Sequence, residues 1–117
     1  MKRILIIDSS IGGPMLKTNL NDLFPVEVQV DVEQEAQGKY DVIFIATQNL
    51  LSNPLTLKQL KKKYGSPLCK IVAVTNENIL SEVVTILKKV DQQIKRSVAL
   101  ASDGTNFKAF VVELLNL

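Results

Sequence analysis

The sequence contains no histidine and a single cysteine, Cys69. Without imidazole, no side chain has an ordinary pKa suited to acid–base work near neutrality, and most zinc sites are excluded. One thiol cannot close an intramolecular disulfide. With no histidine to activate it, Cys69 reads as a small buried hydrophobe and not as a nucleophile. No apolar run is long enough to span a bilayer, so no membrane insertion is expected. The apolar stretch after Met1-Lys2-Arg3 ends at Asp8, too short for an export signal. Together with the cysteine usage this points to the cytoplasm. Neither G-x-x-x-x-G-K-[ST] nor G-x-G-x-x-G occurs, which argues against nucleotide binding. Linkers, internal repeats and low-complexity segments are absent as well.

What remains is a chain of 117 residues, 46% of them apolar, enough for one packed core, so residues 1–117 are read as one domain. Net charge is +2, with the acidic excess in residues 1–48 and the basic excess in residues 49–117. This imbalance is too small to argue nucleic-acid binding by itself.

Ile4–Ile7, Val42–Ile45 and Ile71–Val74 are continuous apolar runs rich in β-branched residues. Such runs suit strands covered on both faces of a parallel sheet. Helical spacing lies between them. Leu16, Leu20, Leu23 and Phe24 share one face of a helix begun at Pro14 and stopped by Pro25. Leu57, Leu60 and Tyr64 mark a second helix between Asn53-Pro54 and Gly65-Ser66-Pro67. A third carries Ile79, Leu80, Val83, Val84, Leu87 and Val90, and the last carries Phe107, Phe110, Val111, Leu114 and Leu115. Ser97-Val98-Ala99-Leu100-Ala101 reads as a final strand before a turn at Asp103-Gly104. Alternating strands and helices predict an α/β, flavodoxin-like three-layer sandwich. Its five-stranded parallel sheet is expected in the order 2-1-3-4-5.

The second strand is of another kind. Val26, Val28, Val30 and Val32 alternate with Glu27, Gln29, Asp31 and Glu33. One face is apolar and one acidic, as suits an edge strand with a face in water. Gln34–Lys39 is too short for a crossover helix, so the second helix is expected to be shortened or missing.

Ligands of open parallel sheets bind beyond the carboxyl ends of the strands. That rim would hold Asp8, Ser9, Ser10, Thr47, Gln48, Thr75, Asn76, Ser102 and Asp103. The strand ends Asp8 and Thr75, with the spacing from Asp41 to Ala46, resemble the CheY-like receiver domains of bacterial response regulators. The resemblance covers nearly the whole chain. In that family the third strand ends in the aspartate that accepts a phosphoryl group, and two acidic residues after the first strand help to hold Mg²⁺. A hydroxyl after the fourth strand senses the product, and a lysine after the fifth neutralises it. Here Asp8 matches the first acid, Ser9 replaces the second, Ala46 replaces the acceptor and Thr75 matches the hydroxyl. Around Ser102 neither the lysine nor its following proline is found. A methyl group is no nucleophile, so the resemblance implies a degenerate receiver that is not an enzyme and needs no metal or cofactor. It would be a signalling module that regulates by protein contact. Its partner or second copy would meet the face of the fourth helix, fifth strand and fifth helix, with Lys88, Lys95, Arg96 and Lys108.

A competing reading takes the loop Ser9–Gly13 as an anion-binding loop, as in sugar-phosphotransferase IIB domains or another small-ligand α/β domain. The IIB domains place a cysteine after the first strand, where this chain has Asp8, so the thiolate is absent. Gly12-Gly13 otherwise reads as a turn into the helix. Lys58, Lys61, Lys62 and Lys63 form a basic stretch, but no aromatic residues alternate with it to stack bases. A solvated helix face is the simpler reading, and nucleic acid is not an expected partner.

Overall fold

Five strands form one parallel sheet in the order β2-β1-β3-β4-β5. The computed structural model describes residues 2–31, 38–52, 56–78, 81–101 and 105–115. The elements are β1 (Ile4–Ile7), α1 (Gly12–Leu20), β2 (Val26–Gln29), β3 (Tyr40–Ala46), α2 (Thr47–Ser52), α3 (Thr56–Tyr64), β4 (Gly65–Thr75), α4 (Ser81–Leu87), β5 (Gln92–Lys95), α5 (Arg96–Ala99) and α6 (Thr105–Leu115). The expected strand order is observed. The segment where a second crossover helix is expected to be short or missing lies largely outside the described residues.

Alternation of side chains along the central strands divides the core into two layers. Ile4, Ile6, Val42, Phe44, Val72 and Val74 face one side, where α1 and α6 supply Leu16, Leu20, Phe107, Val111 and Leu114. Leu5, Ile7, Ile43, Ile45, Ile71 and Ala73 face the other, against Leu50, Leu60, Tyr64, Val83 and Leu87. Apolar residues on both faces are what a helix-covered parallel sheet requires. Phe44 and Phe107 meet edge to face at 5.1 Å, which fixes α6 over the middle of the sheet.

Several boundaries differ from the sequence expectation. Ser97–Ala101 is not a strand: α5 occupies Arg96–Ala99, and the fifth strand is the polar Gln92-Gln93-Ile94-Lys95. An edge strand pairs on one side only, here with β4 through Val72 to Thr75, and needs just one inward side chain. Ile94 supplies it, so the strand carries no apolar run. Helix α1 stops at Leu20, whose carbonyl accepts the N–H groups of both Leu23 and Phe24, and Leu23 turns outward. Strand β2 ends at Gln29, which is buried, while Val30 points outward at 53% exposure. The valine alternation therefore breaks at the rim. There the Val30 carbonyl accepts an N–H from the Asn49 side chain at 2.9 Å. Val84 also faces out of α4, whereas Ile79, Leu80, Val32 and Glu33 lie outside the described residues. Cys69, within β4, is buried, as expected.

Tyr40 is fully buried under the Arg3 guanidinium, with its hydroxyl lacking a hydrogen-bond partner among the described residues. Burial pushes its pKa above the ordinary 10.0, against the opposing pull of Arg3. The unfolded chain therefore loses this proton first as pH rises, and folding stability falls above the ordinary tyrosine pKa. Titration by ultraviolet absorbance should show one tyrosine ionising late. Chemical denaturation should show Tyr40→Phe to be less sensitive to strongly alkaline pH than the wild type.

Candidate functional site

The carboxyl rim is built around Asp8, the residue that follows β1. Its side chain is only 1% exposed. A buried carboxylate must have its charge matched and its lone pairs filled. Oδ1 accepts the Ser10 backbone N–H at 2.8 Å, the Ser10 hydroxyl at 2.7 Å and the Gln48 amide at 3.2 Å. Oδ2 lies 3.4 Å from Arg96 Nη1. The second guanidinium nitrogen, Nη2, donates to Ser10 Oγ at 2.8 Å. Asp8, Ser10, Gln48 and Arg96 thus close one network in which each side chain is held by at least one other.

Glycine makes that closure fit. A Cβ on Gly12 would collide with Arg96 Nη2 and lie 2.9 Å from Asp8 Oδ2. Helix α1 can then begin directly against the ion pair, with the Gly12 N–H donating to Ser10 Oγ at 3.1 Å. Gly13 is packed as closely against Val28. The two glycines serve close packing, a stricter demand than the turn expected from sequence. Three of the loop's backbone donors are also engaged. Ser9 N–H goes to Asn49 Oδ1 at 3.2 Å, Ser10 N–H to Asp8, and Gly12 N–H to Ser10. A loop cradling an anion needs such donors unspent.

Ala46 ends β3. Ile7 and Ile45 are paired in register, so Asp8 and Ala46 stand one step beyond as neighbours. Both continue the sheet face of Ile6 and Phe44, and Ala46 is 2% exposed. The hydroxyls expected on the rim turn inward. Thr47 donates to the Val74 carbonyl at 3.0 Å, and Thr75 to the Ile94 carbonyl at 3.5 Å. They tie β3, β4 and β5 together at their carboxyl ends. Ser9 is exposed and offers its backbone, not its hydroxyl, to this network. Asn76 is exposed beside a cavity of about 200 Å³ lined also by Thr47, Gln48 and Thr75. Ser102 and Asp103 lie outside the described residues.

The shift of the fifth strand changes where its cation is found. The strand expected at Ser97–Ala101 puts the cation position near Ser102, where the sequence has no lysine. Lys95-Arg96 in fact closes β5, and Arg96 reaches Asp8. Arg96 is therefore part of the rim and not a free cation on an outer face. Two other residues assigned to that face are also paired, Lys95 with Glu77 at 3.8 Å and Lys108 with Asp22 at 2.9 Å. The Asp22 carboxyl is held below the usual range by its hydrogen bond from Lys108. Lys88 is exposed just beyond α4. Sequence reasoning missed Asn49 and the role of Arg96. The signal for Arg96 was a basic pair directly after one apolar residue in a polar strand.

Comparison with protein-family models and with curated proteins finds no match. Solved structures do match. A response regulator from Thermotoga maritima aligns over 100% of this chain and 99% of its own, at 13% identity and a TM-score of 0.67. A response regulator receiver protein from Burkholderia phymatum gives a TM-score of 0.72 at 10% identity, over 100% and 97%. A response regulator from Hahella chejuensis gives 0.67 at 16%, over 99% and 93%. The chain has the receiver fold. In this receiver fold the rim holds Asp8, Thr75 and a cation after β5, while Ala46 ends the third strand. Among the described residues no helix is long and apolar enough to cross a membrane.

Proposed function

We propose that this chain is a receiver-fold regulatory module that has lost its phosphoacceptor and acts by protein contact, independently of phosphorylation. The observation that carries this reading is the occupied rim. Ala46 stands where the family places its nucleophile, and a methyl group cannot attack phosphorus. The neighbouring carboxylate, Asp8, already receives Arg96, Ser10 and Gln48. A hard divalent cation would have to displace a guanidinium and an amide before reaching its oxygens. In this reading the chain is not an enzyme and works in a bacterial cytoplasm, with a protein partner or a second copy as its target.

Incubation with acetyl phosphate and Mg²⁺, followed by intact-mass measurement, tests the proposal. The expected result is an unchanged mass. A stable phosphoryl adduct would overturn the reading, and peptide mapping would then locate the acceptor.

A further inference from the structure

We propose that the end of the domain opposite the rim docks an acidic protein segment that carries one apolar anchor residue. This rests on the reading of the chain as a protein-contact module, and names its face. In a parallel α/β sheet, every strand starts and every crossover helix ends at the same pole. Lysine accumulates there. Lys39 precedes β3, Lys62 and Lys63 end α3, Lys70 is midway along β4, and Lys88-Lys89 follow α4. Lys39 Nζ donates to the Lys62 carbonyl at 3.3 Å and the Lys63 carbonyl at 3.0 Å. The 3.5 Å pair of Lys61 with Asp91 draws the end of α3 to the segment that follows Lys89. Lys39, the lysines at the end of α3 and the segment after Lys89 are thus neighbours.

Two carboxylates at this pole are committed to the backbone. Asp41 accepts the Arg3 N–H at 2.9 Å, and Asp91 accepts the Ile71 N–H at 2.7 Å. Lys62, Lys70, Lys88 and Lys89 have no carboxylate partner among the described residues, and acidic groups from outside would supply one. The contrast with the face of Lys95, Arg96 and Lys108 is direct, because those three cations have internal carboxylates.

The same pole has an apolar element. Leu68 is 84% exposed. It borders a cavity of about 220 Å³ with Val42, Leu114 and Leu115, walled by Lys2, Lys70 and the backbone-bonded Asp41. An apolar side chain of the partner would enter beside Leu68 while flanking carboxylates meet the lysines. Nucleic acid fits less well, because Tyr40, Tyr64, Phe44 and Phe107 are buried and offer no stacking surface. A membrane surface would call for several strongly exposed apolar side chains in one plane; among the described residues of this pole Leu68 is 84% exposed and Leu23 47%.

The test is fluorescence anisotropy with a labelled glutamate-rich peptide containing one leucine. Binding is expected at low salt, weakening as salt rises. Lys62→Glu with Lys89→Glu should weaken it by about tenfold or more, while Lys95→Glu near the rim leaves it unchanged. Leu68→Ser should weaken it at every salt concentration. All these positions are exposed, so melting curves should match the wild type. Unaltered binding by the double variant, or tighter binding of phosphatidylserine vesicles or single-stranded RNA than of the peptide, would overturn the proposal. Co-purification separates it from the functional reading. A host protein retained by the double variant but lost with Lys95→Glu would overturn this face and leave the protein-contact function standing. A phosphoryl adduct would overturn that function without altering the anisotropy result.

Discussion

Replacing Arg96 with alanine is expected to lower the melting temperature by roughly 5–15 °C, from a loss of about 1.5–3 kcal/mol. The argument starts from Asp8, which is 1% exposed and keeps its full burial cost when its cation is removed. Breaking a wholly buried ion pair costs about 3–5 kcal/mol. The Arg96 side chain is 27% exposed and its contact with Asp8 is 3.4 Å, so water screens part of that cost. The bond from Nη2 to Ser10 is lost in the same substitution. Lysine at position 96 should restore part of the stability, since it keeps the charge but not the two-pronged contact. Asp8→Asn in the Arg96→Ala background should recover stability by removing the orphaned charge. Thermal melts of the single and double variants measure the coupling. A melting temperature unchanged by Arg96→Ala would mean that solvent already satisfies Asp8.

Placing a carboxylate at the end of β3 should be costly as well. Ala46→Asp is expected to destabilise the fold by about 2–4 kcal/mol at neutral pH, because it buries a charge beside another of the same sign. Ala46 is 2% exposed and shares its sheet face with Asp8 in the adjacent strand. Burial and like charge both raise the new group's folded pKa above its unfolded value. The penalty is therefore small below the ordinary carboxylate pKa and grows as pH rises through the carboxylate range. Ala46→Asn, with similar volume and no charge, should cost less and show no such pH dependence. Urea denaturation at acidic and neutral pH distinguishes the two variants. With Ser9 in place of a second acid and Arg96 on Asp8, Ala46→Asp should still gain no phosphoryl group from acetyl phosphate. Phosphorylation of that variant would show that the alanine alone closes the site.

The central strands were legible because burial on both faces leaves a chemical mark. Ile4–Ile7, Val42–Ile45 and Ile71–Val74 have little polar surface to offer water, and each became an interior strand. Alternation in β2 likewise marked an edge. The fifth strand left no such mark, because Ile94 alone faces inward from Gln92 to Lys95. The more apolar Ser97–Ala101 drew the strand assignment instead, yet α5 packs there with Ala99 buried and the Asn19 amide bonded to its carbonyl at 3.2 Å. Local composition cannot register a hydrogen bond across 80 positions.

The candidate site divides along the same line. Asp8 and Ala46 can be read at strand ends from the sequence, because both lie at the end of an apolar run. Arg96 cannot, since it is 88 positions from Asp8 and its contact depends on where β5 ends. Gly12 reads as a turn residue in the sequence, whereas in the fold Arg96 and Asp8 fill the space a Cβ would take.

The sequence alone determined the α/β order, the five-stranded sheet and the absence of a nucleophile at Ala46, because these follow from local periodicity and residue chemistry. Only the tertiary structure decided that Asp8 is closed by Arg96 and that the end of α3 meets the segment after α4 at the far pole. Both depend on which strand ends and helix ends the crossovers bring together. That is a long-range packing outcome, which no local pattern along the chain encodes.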